Sequence, residues 1–247
     1  MWDDARQMNA LALTLVVLSI AGLIAGTIAF VVRLPTFAFG EVVITAPLQR
    51  ASAAQLEAVI RDDLGGTFFT MDLARARATL AQVPWVREVA LRRQWPDRLE
   101  ITVAEHDPLA RLNDGLFVSA RGEVFAAESR DALPRFDGPE ARAAEMAERY
   151  RAWNDTLGPL GLRLAEVRLS PRGGWRLRAR GNDAELVLEL GRDDPDGRLA
   201  RFVSAHGRTL GALAKAGTKV EAVDLRYRNG FAARVPSFRE KGTKPAA

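Results

Sequence analysis

The sequence predicts an α+β protein with a single N-terminal transmembrane helix followed by two soluble modules. The first module is ordered β-α-α-β-β; the second is a mostly antiparallel β domain with two helices. Three observations carry this. One uncharged apolar run, Leu11 to Val32, stands near the start. Beyond it, segments of helical period alternate with segments of period two. Pro, Gly and Asn-Gly then punctuate those segments at short intervals.

The run LALTLVVLSIAGLIAGTIAFVV would extend roughly 33 Å as a helix, enough to cross a bilayer's hydrocarbon core. A cleaved leader and a buried core helix are the alternatives. The run is longer than a secretory apolar region, MWDDARQMN is not basic, and Arg33-Leu34-Pro35 is a poor cleavage site. A retained anchor over 11–32 is therefore expected, with 1–10 as a short tail. Arg6 and the amino terminus on one side nearly balance Arg33 on the other, so charge leaves the orientation open. Gly22 and Gly26, four apart, would permit close helix contact.

Pro35 stops the helix. Glu41 to Thr45 reads as a strand. Ser52 can cap a helix whose apolar positions are Leu56, Val59, Ile60 and Leu64, ended by Gly65-Gly66. A second helix starts near Asp72, with Leu73, Ala76 and Leu80 on one face, and Pro84 closes it. REVALRRQW and DRLEITVAE alternate with period two around Trp95-Pro96-Asp97. Arg87, Val89, Leu91 and Arg93 share one parity, and Leu99, Ile101 and Val103 face the same way on the partner strand.

After Pro108, Leu116 to Ser119 and Glu123 to Ala126 flank an Arg-Gly turn. Glu140 to Leu157 predicts a long helix with Met146, Tyr150, Trp153 and Leu157 inward. Strands are expected over Ala165 to Leu169, Gly174 to Arg180 and Ala184 to Leu190. Arg198 to Lys215 reads as one amphipathic helix with Leu199, Phe202, Val203, His206, Leu210 and Leu213 on its apolar stripe. Val220 to Tyr227 and Phe231 to Val235 are expected to form a hairpin through a tight Asn229-Gly230 turn. Residues 237–247 read as a disordered polar tail.

Composition narrows the chemistry. The absence of cysteine excludes a disulfide framework, thiol catalysis and thiolate metal sites. Net charge is +4, but only four of the 35 basic residues are lysine, and apart from a short RLRAR stretch at Arg176 to Arg180 the basic residues are interleaved with acids. No basic stripe carries the aromatic spacing of a single-strand reader, so nucleic acid is not an expected partner. His106, inside Glu-His-Asp-Pro, and His206 are far apart and make a poor metal pair. No G-x-S-x-G, Walker or G-x-G-x-x-G pattern occurs. No enzyme activity, cofactor, metal or small-molecule substrate is expected.

The order of anchor, β-α-α-β-β module and second β-rich region resembles the FtsQ/DivIB family of bacterial cell-division proteins, of proteobacterial type. The segments carrying the resemblance are VPWVREVALRRQWPDRLEITVAEHDPLARLND (83–114), GRLARFV (197–203) and VDLRYRNGFA (223–232), with WPDRL and VDLRY the most specific. The likeness implies a POTRA domain over 34–106 and a β domain over 107–236. It implies a single-pass inner-membrane protein with a cytoplasmic tail and a periplasmic large portion, concentrated at the septum. It implies a non-enzymatic scaffold that binds FtsB and FtsL and links early to late division proteins, helping to control septal peptidoglycan synthesis. FtsK, FtsW, FtsI and FtsN are further implied partners. The alternatives are a membrane-anchored POTRA-containing translocation component, which usually carries tandem repeats or leads into a barrel, and an envelope enzyme.

The resemblance also assigns residues. Arg226, Tyr227, Phe231, Ala233 and Val235 fall on the FtsB-binding segment, and Leu91 and Arg93 on a recruitment contact. Two departures stand out. The tail is short for the family. The last strand ends in Arg234-Val235 where relatives often carry an aromatic, so that anchor of the partner contact is expected to be weaker or to be supplied by Phe231.

Overall fold

The computed structural model describes residues 5–45, 48–63, 66–181, 185–215 and 218–236. The chain divides into two units, Met1–His106 and Asp107–Ala247.

In the first unit, helix α1 spans Ala5–Val31 and is apolar on every side. It begins inside the expected tail, since no breaker stands between Ala5 and Leu11. Met8–Val31 is long and apolar enough to cross a membrane, and among the described residues none buries its side chains. Such a helix is stable in lipid, not in water. A 3-10 turn, Pro35–Phe37, follows the helix, and strand β1 (Glu41–Ile44) comes next. Helix α2 (Ala53–Asp63) begins at Ser52, whose hydroxyl accepts from the Gln55 N–H at 3.4 Å. Helix α3 (Leu73–Leu80) is capped by Asp72, which accepts from the N–H groups of Ala74 and Arg75. Such a cap contributes about 1 kcal/mol.

Strands β2 (Val86–Gln94) and β3 (Arg98–Glu105) pair antiparallel, and β1 adds in parallel to β3, giving the order β1-β3-β2. The expected parity holds. Val89, Leu91, Leu99, Ile101 and Val103 are buried, together with Leu56, Ala76 and Leu80 from the two helices. Each fully buried aliphatic contributes roughly 1.5–3 kcal/mol.

The second unit is one nine-stranded mixed sheet. Its strands are β4 (Pro108–Leu112), β5 (Leu116–Ser119), β6 (Val124–Ala126), β7 (Arg135–Asp137), β8 (Arg163–Leu169), β9 (Trp175–Arg180), β10 (Glu185–Gly191), β11 (Ala222–Asp224) and β12 (Ala232–Arg234). The order is β12-β11-β10-β9-β8-β7-β4-β5-β6. Most neighbours are antiparallel, while β4–β7, β7–β8 and β10–β11 are parallel. Helix α4 (Ala143–Leu157) packs on β8, and α5 (Pro195–His206) packs on α4 and β10. Phe136, Met146, Trp153, Leu157, Leu177, Leu188, Leu199, Phe202 and Val223 fill the core between them.

Several expected elements differ. The helix expected over Arg198 to Lys215 is two helices, α5 and α6 (Leu210–Lys215), separated by a turn at Gly207 to Thr209. Glycine costs a helix close to 1 kcal/mol, and the Thr209 hydroxyl bonds back to the Ala205 carbonyl. Strands β4 and β7 have no counterpart in the sequence reading. The C-terminal strands are also shorter than expected, and seven residues, Leu225 to Phe231, join β11 to β12 in place of a tight Asn-Gly turn. Neither Asn229 nor Gly230 takes the positive φ that such a turn needs. The tail 237–247, the Gly65 stop and part of the Gly181-Asn182 turn lie outside the described residues.

Candidate functional site

Strand β12 ends the nine-stranded sheet, so one side of its backbone faces away from every other strand. Ala232, Ala233 and Arg234 are all exposed, and Val235 is half-buried. The register pairs Ala222 with Arg234, Val223 with Ala233 and Asp224 with Ala232. Such an edge presents backbone donors and acceptors to whatever approaches it.

Strand β11 stops because its own side chains turn the chain. The Asp224 carboxylate accepts from the Arg226 backbone N–H at 3.0 Å. It also accepts from Arg226 Nε at 2.9 Å and Nη2 at 2.6 Å. This hydrogen-bonded guanidinium holds the Asp224 carboxyl below the usual carboxylate range and raises Arg226 further. The Arg226 stem lies over Gly191, a positive-φ residue (+74°) where a Cβ would come within 3.0 Å of that stem. Gly191 sits at a register shift of β10, and the glycine lets the arginine lie flat across the strand.

Val223 and Leu225 are buried as alternation predicts, but Tyr227 leaves the pattern and is 58% exposed. Tyr227 to Ala232 line an open groove beside β12. Phe231 is half-buried, with its ring 6.1 Å from that of Phe202 in an edge-to-face contact. The fold thus brings Arg226, Tyr227, Phe231, Ala233 and Val235 to one edge, with Tyr227 and Ala233 open to solvent.

Leu91 and Arg93 sit on the inward face of β2. Leu91 is part of the core, 9% exposed. Arg93 Nη2 donates to the Met71 carbonyl at 2.5 Å, tying β2 to the chain before α3. The side chains of this strand that reach solvent are Glu88, Ala90, Arg92 and Gln94.

Two polar arrangements were not anticipated. The Glu105 carboxylate gathers the backbone N–H groups of Gln49, Arg50 and Ala51, which gives the acid beside His106 a structural role. Trp153 Nε1 donates to Asp196 at 2.6 Å, and Arg149 spans Asp196, Glu145 and both the Trp153 and Trp175 rings. The only signal for either was a charged residue at the end of an alternating or helical segment. His206 is half-buried against Phe202, and burial lowers its pKa. Among the described residues, no group of three or more His, Cys, Asp or Glu side chains comes together as a metal site would require.

Residues 110–226 match the family described as cell division protein FtsQ/DivIB, C-terminal, and residues 37–106 match the POTRA domain, FtsQ-type. Similar proteins include "Cell division protein FtsQ" of Nitrosospira multiformis, 36% identical over 95% of this chain and 99% of that one. The protein of the same description from Burkholderia pseudomallei is 36% identical over 99% of this chain and all of the other. That of Escherichia coli K12 is 37% identical over 68% of this chain and 61% of its own length. The chain belongs to the FtsQ/DivIB family of cell-division proteins, with a POTRA domain, a sheet-rich C-terminal domain and an apolar N-terminal helix of membrane-spanning length. Its role is therefore in the divisome.

Proposed function

We propose that this protein is a non-enzymatic divisome scaffold that binds FtsB, and FtsL with it, by accepting a strand from the partner alongside β12. In this reading 1–10 is cytoplasmic, 11–32 spans the inner membrane, and 34–106 and 107–236 are the two periplasmic modules, concentrated at the septum. The scaffold links early to late division proteins and helps to control septal peptidoglycan synthesis. The observation supporting it is the position of β12 as an exposed end strand with Tyr227 standing free beside it. Backbone pairing would supply affinity and the flanking side chains specificity. Arg226 already spends Nε and Nη2 on Asp224, which leaves Nη1 for a partner carboxylate. Phe231 contributes whatever its contact with Phe202 leaves uncovered.

The test is a pull-down with the periplasmic part of FtsB. Tyr227→Ala removes an exposed ring and leaves the core untouched, so circular dichroism stays native. Its expected effect is a loss of about tenfold in affinity, or ~1.4 kcal/mol. Ala233→Pro takes one N–H from the edge strand and should also weaken binding. Two folded variants that bind like wild type would remove this site.

A second contact on β2, near Leu91 and Arg93, is proposed for recruitment by upstream proteins such as FtsK. Leu91 is core and Arg93 holds the Met71 carbonyl, so Arg93→Asp would disturb the fold as well as the surface. Arg92→Asp alters only the solvent side of the same strand. Its expected outcome is impaired septal localisation with a normal melting profile. FtsW, FtsI and FtsN complete the set of proposed partners.

A further inference from the structure

The geometry points to a second membrane contact: the end of the POTRA domain that carries Phe69 and Trp95 rests in the lipid headgroup layer. This rests on α1 being the membrane span.

Met8–Val31 as a helix is about 36 Å long, which covers a hydrocarbon core of about 30 Å and puts Val32 at its edge. The domain is fastened at that point. Thr67 Oγ1 donates to the Val32 carbonyl at 2.6 Å, and Phe68 N–H donates to the Phe37 carbonyl at 2.7 Å. Thr67 therefore lies within hydrogen-bond reach of the helix end. Four aromatic rings gather there. Phe37 and Phe69 meet edge-to-face at 5.3 Å, Phe68 and Phe69 at 5.3 Å, and Phe39 and Phe68 at 5.9 Å. Phe69 is 49% exposed.

The hairpin turn between β2 and β3 belongs to the same end. Gly40, next to Phe39, donates its N–H to the Asp97 carbonyl at 2.9 Å. Strands β1 and β3 then run parallel away from that point. Arg93 fixes the same end a second time through the Met71 carbonyl. Two residues beyond it, Trp95 is 79% exposed. A free indole and a half-exposed phenyl group cost free energy in water, and both suit the bilayer interface, where aromatic side chains concentrate. Arg33, exposed immediately after the span, suits anionic headgroups. The occupant is thus a lipid surface, argued from continuity with the membrane helix.

The chain has no cysteine, so single thiols can be introduced and spin-labelled in the full-length protein. Labels are placed by Trp95→Cys, Phe69→Cys, Glu88→Cys and Gly22→Cys, in vesicles of phosphatidylethanolamine and phosphatidylglycerol. Collision with oxygen, which favours lipid, is compared with collision with a water-soluble nickel chelate. Glu88 lies roughly 20 Å back along β2 and reports water. Gly22 reports the span itself. The expected result is an oxygen-to-nickel ratio severalfold higher at 95 and 69 than at 88. Ratios at 95 and 69 equal to that at 88, with 22 in lipid, overturn the proposal and leave the span intact. Low collision with both reagents at 95 and 69 means a protein covers the patch and also overturns it. A water signal at 22 defeats the span reading instead. Trp95 is open to solvent, so its replacement keeps the fold if Phe69→Cys loosens the ring cluster.

Discussion

Asp224 and any partner acid compete for one guanidinium, and pH reads that competition. The Arg226 side-chain hydrogen bond lowers the folded pKa of Asp224, while partial burial opposes it. A carboxylate depressed in the folded state stabilises fully above the ordinary range near pH 4, and the contribution is lost as pH falls through the folded value. Asp224→Asn should therefore lower stability slightly at pH 7, and by progressively less as the pH is taken down below the ordinary carboxylate range, as read from urea midpoints along a pH series. The effect is small because Arg226 is well exposed. Trp153 is a stricter case: it is 2% exposed and its indole N–H reaches Asp196. Trp153→Phe keeps most of the packing and loses that bond. Asp196 retains Arg149 and water, so the expected cost is roughly 1–2 kcal/mol in a urea titration. These residue-level facts were largely illegible in the sequence, because hydrogen-bond partners 43 residues apart leave no local pattern.

Elements were legible where a periodic pattern was long enough to outweigh local chemistry. The β2–β3 hairpin and α4 follow their apolar parity closely. Strand β7 is three residues long and is held by two parallel neighbours distant in sequence, while β4 alternates over only five residues and opens on Pro108, so neither pattern is long enough to stand out. The C-terminal hairpin shows the opposite failure. Its alternation extends to Tyr227, yet the Asp224–Arg226 turn ends β11 first. The candidate edge was readable because a last strand tends to lie outermost; the Arg226 pairing and the exposure of Tyr227 were not. The break between α5 and α6 is the element-scale test. Gly207 has helical angles (φ −60°, ψ −35°), and a Cβ there would meet nothing within 4 Å. Gly207→Ala should then stabilise the protein by about 0.4–1 kcal/mol, mainly by restricting the unfolded chain. A higher urea midpoint with unchanged FtsB binding is the expected outcome.

At the scale of the whole molecule, the sequence identifies an anchor but not its direction. Charge near the span is almost balanced between Arg6 and Arg33, and the positive-inside rule needs an imbalance. Hydropathy does not help, because α1 is apolar on every side and reads the same from either end. Direction nevertheless decides everything downstream, since it sets which compartment meets the β12 edge. The proposed function requires that edge to be in the periplasm. The missing cysteines make this testable without background. Arg172 lies exposed in the turn between β8 and β9, where no ladder or core contact depends on its side chain. Arg172→Cys should react with a membrane-impermeant maleimide in intact spheroplasts, to the same extent as after lysis. Glu88→Cys, exposed in the first unit, should behave identically. Labelling of both only after lysis would put the large portion in the cytoplasm. It would remove the proposed FtsB contact regardless of how β12 is shaped, because a strand edge binds only what shares its side of the membrane.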